Sequence, residues 1–195
     1  MAQPGEHRKS LGDEMRPSEG IQIAASGPTA SGTLKIGARR GGWKANQGVD
    51  EIDTARRFAS STGREWTILE KQPEDSDVDV IGRSENRPGA EHFQVTVLYD
   101  QEFWKAVNTK GAADVELTLE EVVRLIEKAV SKKMTHYPVG QRKNTILLID
   151  LVPGGMLPQF AAHARHVLGG PMKEAAFKET WLVGSTADHV FQLWP

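Results

Sequence analysis

The sequence lacks the residues and segments that define several broad classes of protein. It contains no cysteine, which excludes disulfides and thiolate metal sites. We find no apolar core of signal-peptide type near its start and no apolar run of roughly 18 residues, the length of a membrane span. Lysine and arginine (24) nearly balance aspartate and glutamate (26), so overall charge does not indicate nucleic-acid binding. We therefore expect a soluble, cytoplasmic protein without membrane or disulfide-linked partners.

Three common catalytic signatures are also absent from the sequence. There is no glycine-rich phosphate loop, no dinucleotide-binding fingerprint and no Gly-x-Ser-x-Gly nucleophile elbow. The 195 residues suffice for one domain with a sizeable core and a loose end. The composition predicts a disordered polar tail over residues 1–18, a poorly defined extension over 19–48 and a folded domain over 49–195.

The extension contains a short predicted hairpin and a basic loop. Residues 21–25 and 33–36 flank a segment rich in glycine, proline and serine, which predicts two short paired strands. In the loop that follows, three basic residues surround Trp43, and such a loop could lie against a phosphate backbone. An ordinary solvated loop whose tryptophan packs on the domain is the favoured interpretation of this pattern. The candidate nucleic-acid-binding residues are Arg39, Arg40 and Lys44.

Two segments with strict polar–apolar alternation stand in the middle of the sequence. The first reads S-D-V-D-V-I-G from residue 76, and the second reads H-F-Q-V-T-V-L from residue 92. A period of two predicts strands. Between them, Asn86, Pro88 and Gly89 predict a turn, so the two strands should form a hairpin.

Four polar residues of this hairpin form the candidate site. Asp77 and Asp79 lie on one face of the first strand, and Gln94 and Thr96 lie on one face of the second. Two carboxylates beside these side chains indicate a metal-binding site. A strand with one face in solvent shows the same alternation, so that reading stays open for the two aspartates. Gln94 is harder to explain in this way, because a polar side chain in mid-strand usually has a specific partner.

The remaining patterns predict an α/β fold, a mixed sheet with helices on its faces. A capping box, Thr118 to Glu121, opens the most regular helix. The predicted elements are a helix at 49–63 with Glu51 in its first turn, a strand at 66–72, the hairpin, a short helix at 100–107, a loop at 108–116, a helix at about 119–133, a central strand at 144–151, a helix at 157–168 stopped by Gly-Gly-Pro at 169–171, and strands at 180–184 and 190–194.

This element order, with acidic residues on the second strand and a polar-x-polar motif on the third, resembles the PD-(D/E)xK nuclease superfamily. The matching positions are Glu51 on the first helix, Asp77 or Asp79 on the second strand, and Gln94 and Thr96 on the third. The resemblance covers residues 49–195. It is greatest to a bacterial branch with a Q-V-T third strand, an aromatic helix like Phe103-Trp104, a helix ending in lysines before a tyrosine like Lys132-Lys133 and Tyr137, and a late strand like that at 180–184.

The resemblance implies a restriction endonuclease-like fold and hydrolysis of nucleic-acid phosphodiester bonds with Mg²⁺ or Mn²⁺. Such cleavage needs a hard cation held by oxygen ligands, with open positions for water and phosphate. The implied metal ligands are Glu51, Asp77, Asp79 and Gln94. The implied catalytic residues are Asp79, Gln94, Thr96 and Lys133.

The sequence departs from the superfamily pattern where the superfamily has its lysine. Thr96 stands at that position and supplies neither charge nor basicity. Either a lysine arrives from elsewhere, with Lys71, Lys105 and Lys133 as candidates, or catalysis is lost and the domain binds nucleic acid or protein. Glu51 and Lys133 also complement their helix dipoles, so each has a purely structural alternative.

Overall fold

The computed structural model describes most of the predicted domain and two short segments before it. The described residues are 22–26, 34–39, 51–64, 66–73, 76–84, 87–98, 109–110, 112–151, 158–184 and 186–195. Several predictions lie outside them: the disordered tail at 1–18, the helix at 100–107, and the residues Arg40, Lys44 and Lys105. Arg39 is described through its backbone alone.

The described segments contain nine strands and four α-helices. The strands are β1 (Gln22–Ser26), β2 (Leu34–Arg39), β3 (Ile68–Lys71), β4 (Val80–Ser84), β5 (Arg87–Val97), β6 (Ala112–Leu117), β7 (Thr145–Asp150), β8 (Glu179–Val183) and β9 (Val190–Trp194). The helices are α1 (Glu51–Thr62), α2 (Leu119–His136), α3 (Val139–Arg142) and α4 (Pro158–Ala175). No described helix is both long and apolar enough to cross a bilayer.

A six-stranded mixed sheet forms the centre of the domain, which confirms the predicted α/β class. Its strand order is β3-β4-β5-β7-β8-β9. The strands β3, β4 and β5 are antiparallel neighbours, β7 runs parallel to both β5 and β8, and β9 closes the sheet antiparallel to β8. All six residues of β7 are buried, as the continuous apolar run predicts for a central strand.

Helices cover the two faces of this sheet. On one face, Phe58 of α1 packs in a cluster with Phe93. On the other, α2 and α4 share a larger cluster that includes Leu147 and Leu168. Because side chains alternate along a strand, Phe93 faces α1 whereas the next residue, Gln94, faces α2. The candidate site therefore lies on the α2 side of the sheet.

The end of α1 and the start of α2 have the local features that their sequences favour. Gly63 has φ of 64°, a conformation that glycine adopts without strain, and it follows the last residue of α1. At the start of α2, Thr118 Oγ1 accepts from the backbone N–H of Glu121, and the Glu121 carboxylate accepts from the backbone N–H of Thr118. This hydrogen bond to the Thr118 backbone lowers the pKa of Glu121.

The predicted N-terminal hairpin is confirmed, but the predicted loop at 108–116 is wrong. β1 and β2 pair antiparallel, and Ala112–Leu117 forms β6, which pairs antiparallel with β2 in a second, three-stranded sheet. A strand so distant in sequence from its partner leaves only a weak local pattern. Backbone hydrogen bonding to β2 decides its conformation.

The last long helix extends further than predicted. α4 runs to Ala175 and passes through the Gly-Gly-Pro segment at 169–171. Two helical glycines and one proline disfavour this continuation. Beyond them, Met172 and Ala175 are almost fully buried, and their burial in the core opposes that intrinsic cost.

Candidate functional site

The two aspartates of the predicted hairpin stand immediately before β4 rather than within it. β4 begins at Val80. Asp79 nevertheless joins both neighbouring strands, because its backbone N–H donates to Phe93 and its carbonyl accepts from Gln72, each at 2.9 Å. Val78 is buried, as the alternation predicts. The entry to β4 therefore fixes the backbone of Asp79 firmly.

Gln94 is the most enclosed residue of the candidate site, with 1% of its surface exposed. Its Nε2 donates to the backbone carbonyl of Asp77. Its Oε1 accepts from the ammonium of Lys133 at 2.7 Å. The two ends of the amide therefore have different partners, and this arrangement directs the oxygen towards α2.

Lys133, in the last turn of α2, connects the site to the helix. Its Nζ lies 3.0 Å from Asp79 Oδ2 and 2.7 Å from Gln94 Oε1, and only 13% of its side chain is exposed. The backbone N–H of Val95 donates to the same aspartate oxygen at 2.6 Å. Of the two candidate lysines that the structure describes, Lys133 contacts Asp79 and Gln94, whereas Lys71 lies beside Glu51.

Tyr137 borders the same cluster, one helical turn beyond Lys133. The Lys133 ammonium lies 5.6 Å from the centre of its ring, within the range of a cation–π contact. Burial raises the pKa of Tyr137; a hydrogen bond from Gln94 opposes the shift, and the charges of Asp79 and Asp77 add to it. The phenol is thus held neutral. Tyr137 is among the residues that carry the family resemblance, which implies no role for it.

Asp77 lies at the rim of the site and its carboxylate contacts α3. Its Oδ2 accepts from Nε2 of Gln141 at 2.8 Å, in an exposed position. Gln141 belongs to a segment that sequence patterns showed only as a break between elements. Asp77 contributes to the centre of the site through its backbone carbonyl, which accepts from Gln94.

Glu51 and Thr96 do not contact the Lys133 ammonium. Glu51 Oε2 lies 2.8 Å from Lys71 Nζ, an ion pair without hydrogen-bond geometry, at the start of the helix on the other face of the sheet. Thr96 lies two residues beyond Gln94 on β5, opposite Ile149 of β7. Across the described segments, no three His, Cys, Asp or Glu side chains are grouped so as to hold a metal ion.

Two side-chain oxygen donors nevertheless suit a hard cation. Asp79 offers a carboxylate and Gln94 a carboxamide oxygen, and both contact one and the same ammonium. Mg²⁺ in proteins is often held by one or two carboxylates, with water and substrate phosphate completing the octahedron. Asp79 and Gln94 therefore fit part of such a coordination shell, and the substrate and water would have to supply the rest.

A second polar cluster, which the sequence did not reveal, lies on the α1 face of the sheet. Asp150, 1% exposed at the end of β7, accepts from Thr54 Oγ1 at 2.6 Å and from Arg57 Nη2 at 2.9 Å. Arg57 also donates to the backbone carbonyl of Gly184. These contacts tie α1 to the ends of β7 and β8. Asp150 is therefore charge-paired and hydrogen-bonded inside the protein.

Comparison with known proteins assigns no function to this chain. No family model, no curated protein and no solved structure matches this chain. The function is therefore inferred from the arrangement of Asp79, Gln94 and Lys133.

Proposed function

We propose that this protein is a metal-dependent phosphodiesterase that hydrolyses nucleic acid. Lys133 supplies the ammonium in this proposal, because Thr96 stands where the superfamily has its lysine. The observation that carries the proposal is the position of the Lys133 ammonium, within 3.0 Å of both Asp79 Oδ2 and Gln94 Oε1. Metal-dependent hydrolysis of a phosphodiester can use a carboxylate, a carboxamide oxygen and an ammonium, and adjacent elements supply these three groups here. Each is held by a separate contact, so the group is preorganised.

The order of the elements supports the same proposal. Helix α1 precedes the antiparallel strands β3, β4 and β5, and after β6 helices α2 and α3 lead to β7, which runs parallel to β5. This arrangement agrees with a restriction endonuclease-like architecture, which we include in the proposal. In it, β4 and β5 present Asp79 and Gln94, and α2 delivers the lysine from outside the strand.

Each residue has a defined role in the proposed reaction. Asp79 and Gln94 would hold Mg²⁺ or Mn²⁺, which supplies Lewis-acid polarisation of the phosphate and an activated water. The N–H of Val95 keeps the Asp79 carboxylate in place. The Lys133 ammonium donates to a phosphate oxygen and so stabilises the negative charge that develops there. Tyr137 borders the site, with its ring 5.6 Å from the Lys133 ammonium.

One observation favours a second candidate, a non-catalytic module that binds nucleic acid or protein. Glu51 lies against Lys71 instead of joining the aspartates, so the described part of the site has few carboxylates. In that case Lys133 would neutralise Asp79 permanently. Binding of DNA or RNA that is independent of divalent cations, without cleavage, is the behaviour expected of this module.

Cleavage assays with matched variants test the proposal. Plasmid, single-stranded DNA and RNA are incubated with the protein and Mg²⁺ or Mn²⁺. We expect Asp79→Asn and Lys133→Met to lower the cleavage rate by on the order of a hundredfold or more. Lys132→Met, which removes the neighbouring exposed lysine, should cleave at the wild-type rate. Cleavage that is equal in wild type and Asp79→Asn, or no cleavage by folded wild type, would overturn the proposal.

A further inference from the structure

The Lys133 ammonium lies where a cation bound by Asp79 and Gln94 would lie. Its Nζ contacts Asp79 Oδ2 at 3.0 Å and Gln94 Oε1 at 2.7 Å. A carboxylate oxygen and a carboxamide oxygen are typical ligands of Mg²⁺ and Mn²⁺. The two oxygens that suit a divalent cation therefore already share a cation, which the protein itself supplies.

We propose that Lys133 is a built-in competitor at this position, and that a divalent cation binds to Asp79 and Gln94 only when it displaces the ammonium. This inference rests on the proposed function, since it concerns the metal that the phosphodiesterase would use. It adds an order of events: metal entry and release of Lys133 from Asp79 are one step. The released ammonium is then free to contact the substrate phosphate.

The oxygens are held in place independently of Lys133, so they would remain aligned after its release. The N–H of Val95 donates to Asp79 Oδ2 at 2.6 Å. The carbonyl of Asp77 accepts from Gln94 Nε2, which prevents the amide from turning its oxygen away. Both anchors are backbone groups of the strands or of their entry. The lysine, by contrast, ends a flexible four-carbon stem.

Charge makes the two occupants mutually exclusive. Asp79 and Lys133 neutralise each other, and the amide of Gln94 carries no charge. A divalent cation within a few ångströms of the ammonium would be repelled strongly, because neither charge is fully in water. The ring of Tyr137, 5.6 Å from Nζ, offers a face on which the displaced ammonium can rest.

Calorimetric titration of Mn²⁺ into the metal-free proteins tests this competition. Lys133→Met removes the charge and keeps an unbranched side chain that is one atom shorter. We expect it to lower the Kd for Mn²⁺ by about tenfold or more relative to wild type. Lys132→Met removes one positive charge from the same helical turn without touching Asp79, so its Kd should stay close to that of wild type. Adding Asp79→Asn to Lys133→Met should abolish the increase in affinity for Mn²⁺.

The possible results separate the competition from the proposed function. If wild type and Lys133→Met bind Mn²⁺ equally well through Asp79, the competition is refuted and the metal-dependent function stands. If Lys132→Met increases the affinity for Mn²⁺ as much as Lys133→Met does, the increase comes from the lower overall positive charge. The competition is again refuted in that case. If folded Lys133→Met binds no Mn²⁺, both ideas fail.

A measurement on the wild-type protein avoids any folding defect of the variants. Lysine acetylation by acetic anhydride is followed by mass spectrometry as Mn²⁺ is added. Lys133 should react slowly without metal and several-fold faster at saturation, relative to the exposed Lys132. An unchanged ratio of the two rates at saturating Mn²⁺ would overturn the proposal.

Discussion

Asp79 and Lys133 should stabilise the folded protein as a coupled pair. Lys133→Met leaves the Asp79 carboxylate with the backbone N–H of Val95, and Asp79→Asn removes the negative charge that the Lys133 ammonium contacts. A lost hydrogen bond to a charged partner costs about 1.5–3 kcal/mol. Each single substitution should therefore lower the free energy of unfolding by roughly 1–3 kcal/mol.

Burial sets the size of the coupling. The exposed fractions of the side chains are 13% for Lys133 and 26% for Asp79. Exposed ion pairs contribute about 0–1 kcal/mol, whereas breaking a fully buried pair costs about 3–5. This pair lies between those limits. We therefore expect the double variant to be less destabilised than the sum of the single variants, by about 1–2 kcal/mol.

Urea unfolding of the four proteins, followed by tryptophan fluorescence, measures this coupling energy. Trp66 and Trp181 pack against Phe58 in the core, so their emission should change on unfolding. A parallel cycle that replaces Lys133→Met with Lys132→Met supplies the control. Additivity of Asp79→Asn and Lys133→Met within about 0.5 kcal/mol would show that the two side chains do not interact, and would refute the reasoning.

Three further predictions concern the stability contributed by Arg57, Tyr137 and Thr118. Arg57→Met should lower the free energy of unfolding in urea by about 3–5 kcal/mol, because it removes the positive charge that pairs with the buried Asp150 carboxylate. A decrease of less than about 1 kcal/mol would contradict the buried pair. Burial raises the pKa of Tyr137 above its ordinary 10.0, so the folded protein favours the neutral phenol. The contribution of the phenol to the free energy of unfolding is complete below pH 10.0 and is lost as the pH rises through the raised pKa. Tyr137→Phe should therefore show less alkaline loss of stability than wild type, and equal losses would contradict the shift. Thr118→Ala should lower unfolding stability by about 1 kcal/mol through loss of the α2 cap, whereas Thr118→Ser should not, and equal effects of the two would argue against capping.

The sequence predicted those parts of the fold that local patterns determine. Alternation indicated the pairing of β4 with β5, but β4 begins only at Val80, and Pro88 and Gly89 of the predicted turn lie within β5. The capping box located α2, and the apolar run located β7. Sequence patterns failed where contacts between residues distant in the sequence determine the structure. β6 forms because β2 pairs with it, and α4 continues through Gly-Gly-Pro to Met172 and Ala175, which are buried in the core.

The candidate site was predictable in its strand residues only. Alternation placed Asp79 and Gln94 together because a hairpin has a fixed geometry. Three lysines were candidates for the missing charge, and only the packing of α2 on the sheet distinguishes Lys133 from Lys71. The contact between Arg57 and Asp150 joins residues 93 positions apart, so no local signal exists for it.

The central claim is that an ammonium from α2, at position 133, completes the site formed by Asp79 and Gln94. The chain has no cysteine, so Lys133→Cys introduces a single thiol that can be alkylated selectively. Bromoethylamine converts this thiol into an ammonium-bearing side chain of nearly lysine length, and iodoacetamide gives a neutral control. The account predicts that Lys133→Cys loses nucleic-acid cleavage, that aminoethylation restores it, and that the neutral adduct does not. Full activity of unmodified Lys133→Cys, or equal activity of the two adducts, would contradict it.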